Sequence, residues 1–197
     1  MAKTFVALPL ARDPGITLKT AWFINHRLRL ILREPEPPMM NNIVEVDETY
    51  VGGQFSRMSR ARRKKWQESG KDNKTAVMGI VEREGKARLP VIGENTFKDI
   101  VLQNVEKTAT VMTDAHLGYI GLRNEFAGHE AVNHSIQEYK RGLAHTNSVE
   151  GFFSLFKRTI FGTYHQISPK HLHKYCIETT YRFNSSGRLK YAELIKG

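Results

Sequence analysis

Residues 43–51 read Ile-Val-Glu-Val-Asp-Glu-Thr-Tyr-Val, and this stretch decides the fold prediction. Its β-branched and aromatic residues, followed by Gly52 and Gly53, predict a strand with Asp47 at the far end of its apolar part. Further strands are predicted at 75–82, 87–92 and 110–113, and helices at 97–105, 119–126 and 146–161. Early strands followed by mixed elements predict an α/β or α+β domain with a mixed sheet.

A helix from about Leu18 to Leu32, with Thr17 as its N-cap, is predicted ahead of this domain. It follows a glycine turn, so it is equally typical of the back half of a helix-turn-helix and of an amphipathic helix that packs on the main domain. The predicted division is a partial helix-turn-helix segment at 1–34, a proline-rich linker at 35–41 and a catalytic domain at 42–197.

The composition limits the class of partner. The chain has 197 residues, with 30 Lys and Arg against 20 Asp and Glu, a formal net charge of +10. This excess predicts a polyanionic partner, although an anionic membrane surface would satisfy it equally. No stretch approaches the roughly 18 apolar residues of a membrane span. Cys176 is the single cysteine, which excludes an intramolecular disulfide and a cysteine zinc module and indicates a reducing compartment.

Three acidic residues are candidates for catalysis. Asp47 and Asp114 each belong to a predicted strand end, where carboxylates of neighbouring strands converge and a bound cation would offset their repulsion. Glu150 opens a predicted helix, and a rotation of about 100° per residue places it on one face with Lys157 and Arg158. The opposite face is aromatic and aliphatic. Any one of these acids taken alone is more often a helix cap or a solvated charge.

Three motifs together resemble bacterial insertion-sequence transposases of the ISXO type. The first is Val-Glu-Val-Asp-Glu-Thr-Tyr-Val-Gly-Gly at 44–53, and the second is Thr-Asp-x-His with Gly-Tyr-x-Gly-Leu at 113–122. The third is His-Thr-Asn-Ser-Val-Glu-Gly-Phe-Phe-Ser-Leu-Phe-Lys-Arg at 145–158, continued at 162–172. The resemblance implies an α/β fold of the ribonuclease-H-like, integrase-like kind and a catalytic, metal-binding triad of Asp47, Asp114 and Glu150.

The same resemblance implies two divalent cations, Mg²⁺ or Mn²⁺, as cofactors. Family members usually carry a cysteine zinc ribbon and a complete helix-turn-helix, so this chain is expected to be truncated at its N-terminus. DNA is the expected partner, as element ends and as target. The protein is expected to be a homodimer or larger assembly on DNA, bacterial, cytoplasmic and nucleoid-associated, with no membrane partner.

Candidate DNA contacts fall in three regions. The first region is the start of the predicted helix at 18–32, in its interpretation as the recognition helix of a helix-turn-helix, with Thr17, Lys19 and Thr20. The second is a basic run, interpreted as a flexible arm on DNA or as a solvated loop, with Arg57, Arg60, Arg62, Arg63, Lys64 and Lys65. The third lies around the catalytic helix, with His145, Asn147, Lys157 and Arg158. Helix capping is an equal explanation for Asn147.

The predicted function is DNA transposition, with metal-dependent cleavage at insertion-sequence ends and transfer of the 3′-hydroxyl strand into target DNA. Two alternatives remain open. One is a catalytically silent DNA-binding remnant of a truncated element, acting as a repressor. The other is a metal-dependent nuclease that does not join strands.

Overall fold

A computed structural model of the chain describes residues 15–52, 59–69, 74–93, 96–114, 117–119, 121–132, 146–165 and 167–185. Arg57 and His145, two of the predicted DNA contacts, lie outside these residues, as do the side chains of Arg62 and Lys65. Residues 1–14 also lie outside them. The helix-turn-helix and the division into three segments therefore stay predictions.

The centre of the described structure is a mixed β-sheet. Its strands are Ile43–Gly52 (β1), Lys74–Glu82 (β2), Ala87–Arg88 (β3), Thr110–Asp114 (β4) and Gly128–Val132 (β5). Within the described residues the sheet has five strands in the order β3-β2-β1-β4-β5. The pairs β1–β2 and β2–β3 are antiparallel, whereas β1–β4 and β4–β5 are parallel.

The described residues also form helices. They are Leu18–Ile31 (α1), Arg60–Ser69 (α2), Phe97–Asn104 (α3), Asn147–Thr159 (α4) and Leu172–Asn184 (α5). Of these, α3 packs on one face of the sheet and α4 and α5 on the other. A π-helical turn, Ile160–Tyr164, continues α4 directly. The predicted α/β domain with a mixed sheet between helices is confirmed, and the strand order is compatible with a ribonuclease-H-like fold.

The two faces of β1 enter two separate cores because side chains alternate along a strand. Val44 and Val46 are fully buried in a cluster with Ile100 and Val101 of α3. Val51 packs in the second cluster, which contains the buried aromatic residues of α4 and the apolar residues of α5. Residues of β1 with odd numbers therefore face α4, and this parity places Asp47 on the α4 side.

Four details of the predicted elements were wrong. Asp47 lies in the middle of β1, Ile43–Gly52, and not at a strand end. Where the structure describes residues 119–126, they form 3-10 turns rather than an α-helix, because Gly121 at φ +89° lies between the two turns. The predicted strand at 87–92 is only two residues long, followed by an isolated bridge at Val91. The strand β5 was missed, because it is short and half polar.

The basic run was also misjudged, because its second half is the helix α2 and neither a flexible arm nor a loop. Arg and Lys are strong helix formers, and Lys64 Nζ lies 3.8 Å from Glu68 Oε1 one turn later. The Lys64 side chain is 78% exposed, so this pair adds little to stability. Of the described side chains of this run, those of Arg60 and Lys64 are exposed on a helical surface.

The helix α1 packs against α5. Arg29 is 2% exposed, and its Nε donates to Glu178 Oε2 of α5 at 2.8 Å. The Tyr164 hydroxyl donates to the same carboxylate, at 3.0 Å from Oε2. One face of α1 is thus buried against the domain, while Thr17, which accepts a capping bond from the Thr20 N–H, stays exposed with Lys19. Both interpretations of this helix are compatible with that arrangement.

Candidate active site

Parallel pairing brings the two predicted strand carboxylates to the same level. The β1–β4 register runs from Ile43 opposite Thr110 to Glu45 opposite Met112. The same offset, carried on by two residues, places Asp47 level with Asp114, the last residue of β4. Both carboxylates are partly buried. The topology of the sheet therefore explains why residues far apart in sequence meet here.

A third carboxylate joins this pair. Asp47, Glu48 and Asp114 each offer an oxygen, and these three oxygens lie within 4.8 Å of one another. Burial, and then the charges of Asp114, Glu48 and Glu150, raise the pKa of Asp47 to about 6, although the Glu48 N–H donates to Asp47 Oδ1 at 2.8 Å and opposes this shift. These groups form a concentrated negative site of the kind that hard divalent cations bind.

Sequence reasoning missed Glu48. The Tyr119 hydroxyl donates to Glu48 Oε2 at 2.8 Å. Tyr119 is 2% exposed, and burial, followed by the charge of Glu48, raises the pKa of its phenol, so the phenol keeps its proton and remains a donor. The sequence feature that could have indicated Glu48 is its position directly after Asp47 in the first motif. Its orientation depends on a tyrosine 71 positions away.

Glu150, the third predicted ligand, is not among the residues whose oxygens lie within 4.8 Å of one another, and only its charge acts on Asp47. It lies in the first turn of α4 with an exposed side chain, and Thr146 Oγ1 donates to its Oε1 at 3.3 Å. Gly79 of β2 pairs with Asp47 and allows α4 to lie close to the sheet at this level. A Cβ at Gly79 would stand 2.6 Å from Val149 Cγ2, so only glycine leaves room for this approach.

The outer face of α4 agrees with the helical rotation. Ser154, Lys157 and Arg158 are exposed together with Glu150, while the opposite side is buried. The buried residues of this helix are Val149, Phe152, Phe153, Phe156 and Thr159. Two cations therefore share a solvent-facing surface with a carboxylate whose charge acts on Asp47.

The sequence of residues 39–184 matches the family model of the ISXO2-like transposase domain. The chain belongs to this family. A search of curated proteins found no match. Within the described parts of the chain, no helix is both long and apolar enough to cross a membrane.

Membership in this transposase family implies a role on DNA and the use of a divalent metal. The cluster in the transposase domain fits such an ion, because three carboxylates supply the hard oxygen ligands that Mg²⁺ and Mn²⁺ prefer. The three carboxylates repel one another, and a bound cation would offset this repulsion.

The remaining predicted DNA contacts of the chain lie on separate elements, and those of α1 precede the matched residues 39–184. Thr17, Lys19 and Thr20 are exposed at the start of α1, which packs on α5. Arg60 and Lys64 are exposed on α2. Asn147, Lys157 and Arg158 lie on α4, the helix that carries Glu150. Lys157 and Arg158 thus lie on the same helix as the candidate ligand Glu150. The predicted contacts on α1 and α2 lie on other helices.

Proposed function

We propose that this chain is a metal-dependent DNA transposase that cuts at insertion-sequence ends and joins the freed strand to target DNA. The observation that carries the proposal is the convergence of Asp47, Glu48 and Asp114 within 4.8 Å. The charge of Glu150, which acts on Asp47, adds to it. In this proposal Asp47, Asp114 and Glu150 are catalytic metal ligands for two ions, Mg²⁺ or Mn²⁺, and Glu48 adds a further oxygen.

The chemistry consists of two phosphoryl transfers. In the first, the oxygen of a water molecule attacks the phosphorus at the element end, the bond from phosphorus to the 3′-oxygen breaks, and that oxygen leaves as a hydroxyl. In the second, this 3′-hydroxyl attacks a target phosphodiester and displaces its 3′-oxygen, so the number of phosphodiester bonds is unchanged. Divalent cations, when bound, polarise the phosphoryl oxygens and activate the attacking oxygen.

The protein's own groups bind and orient in this proposal. Lys157 and Arg158 contact backbone phosphates beside Glu150, and Tyr119 holds the Glu48 carboxylate in place. His145, Asn147 and α2 add further contacts to the DNA backbone. The start of α1 reads base edges through Thr17, Lys19 and Thr20. Assembly as a homodimer or larger complex on DNA, and association with the nucleoid, belong to the same proposal.

The test is an end-cleavage assay with labelled duplexes that carry the repeats flanking the coding sequence, with and without Mg²⁺. Asp47→Asn, Asp114→Asn and Glu150→Gln should each reduce cleavage to background while DNA affinity is retained, because each removes a ligand charge outside the apolar core. Glu130→Gln, which changes an exposed carboxylate on β5, is the matched control and should cleave like the wild type.

The outcomes separate the alternatives. Nicking followed by strand joining supports the transposase. Nicking without joining indicates a nuclease, and DNA binding without any nicking indicates a silent binding protein. Wild-type cleavage by any one triad variant removes that residue from the site.

A further inference from the structure

Glu45 is a buried carboxylate that contacts the start of the helix carrying Glu150. It is 0% exposed and lies two residues before Asp47 in β1, on the same face of the strand. Its Oε2 accepts from the backbone N–H of Ser148 at 2.7 Å and of Val149 at 3.1 Å. Its Oε1 accepts from Ser148 Oγ at 3.0 Å and from Arg83 Nε at 2.7 Å.

This arrangement caps α4 from outside the helix. The first N–H groups of a helix have no partner within it, and they carry the positive end of its dipole. The carboxylate of Glu45 satisfies two of them from the neighbouring strand, while Thr146, the residue before α4, directs its hydroxyl to Glu150. A buried carboxylate is costly unless it is paired, and Arg83 supplies the opposite charge.

The two elements that Glu45 joins carry the candidate ligands. Asp47 follows Glu45 by two residues in β1, and Glu150 follows Ser148 by two residues in α4. The distance between the two ligands therefore depends on the contact between Glu45 and the α4 N-terminus.

We propose that Glu45 is a positioning residue that sets the separation of Asp47 and Glu150 for metal binding. The inference rests on the proposed function, because it takes these two residues as ligands. Glu45 contacts neither metal nor DNA in this proposal.

The experiment measures Mn²⁺ affinity by titration calorimetry on the full chain, with Glu45→Gln compared with the wild type. Both Glu45 oxygens face donors only, so either orientation of the glutamine amide turns an NH₂ group against an N–H or O–H donor. We expect Mn²⁺ affinity to fall about 10- to 100-fold, the range typical for residues that orient metal ligands. End cleavage should return at high Mn²⁺ in this variant and should not return in Asp47→Asn.

Glu178→Gln is the matched control. Glu178 is 1% exposed and also pairs with an arginine, Arg29, at 2.8 Å, but it lies on α5. Both substitutions neutralise a buried, paired carboxylate, so both should lower the melting temperature. Only Glu45→Gln should change the Mn²⁺ affinity. Equal Mn²⁺ affinity in Glu45→Gln and the wild type would overturn the positioning role, because Glu45 would then act on stability alone.

If Glu45→Gln does not fold, Ser148→Ala tests the positioning role of Glu45 instead. It removes the hydroxyl that donates to Glu45 Oε1 and keeps both backbone contacts, so a smaller loss of Mn²⁺ affinity, a few-fold, is expected. Unchanged affinity in that variant would overturn the inference. A different result would show that the proposed metal site itself is wrong. In that case Asp47→Asn would bind Mn²⁺ with the same affinity as the wild type.

Discussion

His26 should make the protein less stable in mild acid, and His26→Phe should remove that loss. The ring of His26 is 3% exposed on α1, with centroids 4.1 Å from Trp22, 4.8 Å from His171 and 5.6 Å from Tyr175. Within the described parts of the chain, neither ring nitrogen has a hydrogen-bond partner. Burial is the main cause that lowers the pKa of His26 to about 4, and the second is the charge of Arg29. Weaker contributions come from Lys174, His171 and His173.

The size of the effect follows from proton linkage. The unfolded chain binds a proton at this histidine near pH 6.5, whereas the folded chain binds it only near pH 4. Protonation of His26 therefore costs no stability above about pH 6.5. As the pH falls from about 6.5 to about 4, the free energy of unfolding decreases. The total loss is about 3 kcal/mol, of which about 2 kcal/mol has been lost at pH 5. Phenylalanine has no such proton, and at pH 8 it should be neutral or slightly stabilising.

The assay is urea unfolding of the wild type and His26→Phe at pH 8, 6 and 5. The difference in unfolding free energy should move in favour of the variant by about 2 kcal/mol between pH 8 and pH 5. His173→Gln, at an exposed position on α5, is the control for losing one histidine and should change this difference much less. A difference that is the same at all three pH values would refute the reasoning and would assign the role of His26 to ring packing.

Three further predictions concern the core and the DNA surface. Glu178→Ala should cost about 3–5 kcal/mol in urea unfolding because it leaves Arg29 buried without its carboxylate, whereas Arg29→Met combined with Glu178→Leu should cost much less. Gly79→Ala should cost about 1–3 kcal/mol and weaken Mn²⁺ binding, because its Cβ would displace α4; an unchanged melting temperature would contradict this. Replacing four basic residues of α2 by alanine should flatten the log–log salt dependence of DNA affinity by up to about 3–4 units, and an unchanged slope would exclude α2 from the DNA surface. These four are Arg62, Arg63, Lys64 and Lys65.

The parts of the structure that sequence could predict are those set by local periodicity. The β-branched and aromatic residues of 43–51 predicted β1, and a rotation of 100° per residue predicted which face of α4 is buried. The N-cap at Thr17 is likewise a local signal, and it is confirmed. The prediction of a helix at 119–126 was wrong for a local reason too, because Gly121 adopts a left-handed conformation there.

The parts that sequence could not predict depend on partners far along the chain. Glu45 lies on the same face of β1 as Asp47, but the residue that it contacts, Ser148, is 103 positions away in the sequence. The orientation of the Glu48 carboxylate depends on the Tyr119 hydroxyl, and Tyr119 was predicted to begin a helix. One signal was present in β1: acidic residues inside a strand with apolar neighbours conflict with burial, and such local conflicts concentrate at functional sites.

The contacts of α4 explain how one helix would serve both the proposed metal site and the proposed DNA surface. Gly79 allows its buried face to lie close to β2, and Glu45 holds its N-terminus against β1. The apolar face of α4 therefore packs in the core, and the opposite face exposes Glu150, Lys157 and Arg158 to solvent. Because a rigid helix transmits its position over its whole length, any shift of its N-terminus moves Lys157 and Arg158, the proposed phosphate contacts, together with the candidate ligand Glu150. Substitutions at Glu45 or Gly79 should therefore change DNA positioning and metal affinity together, whereas substitutions at Lys157 or Arg158 should change DNA affinity alone.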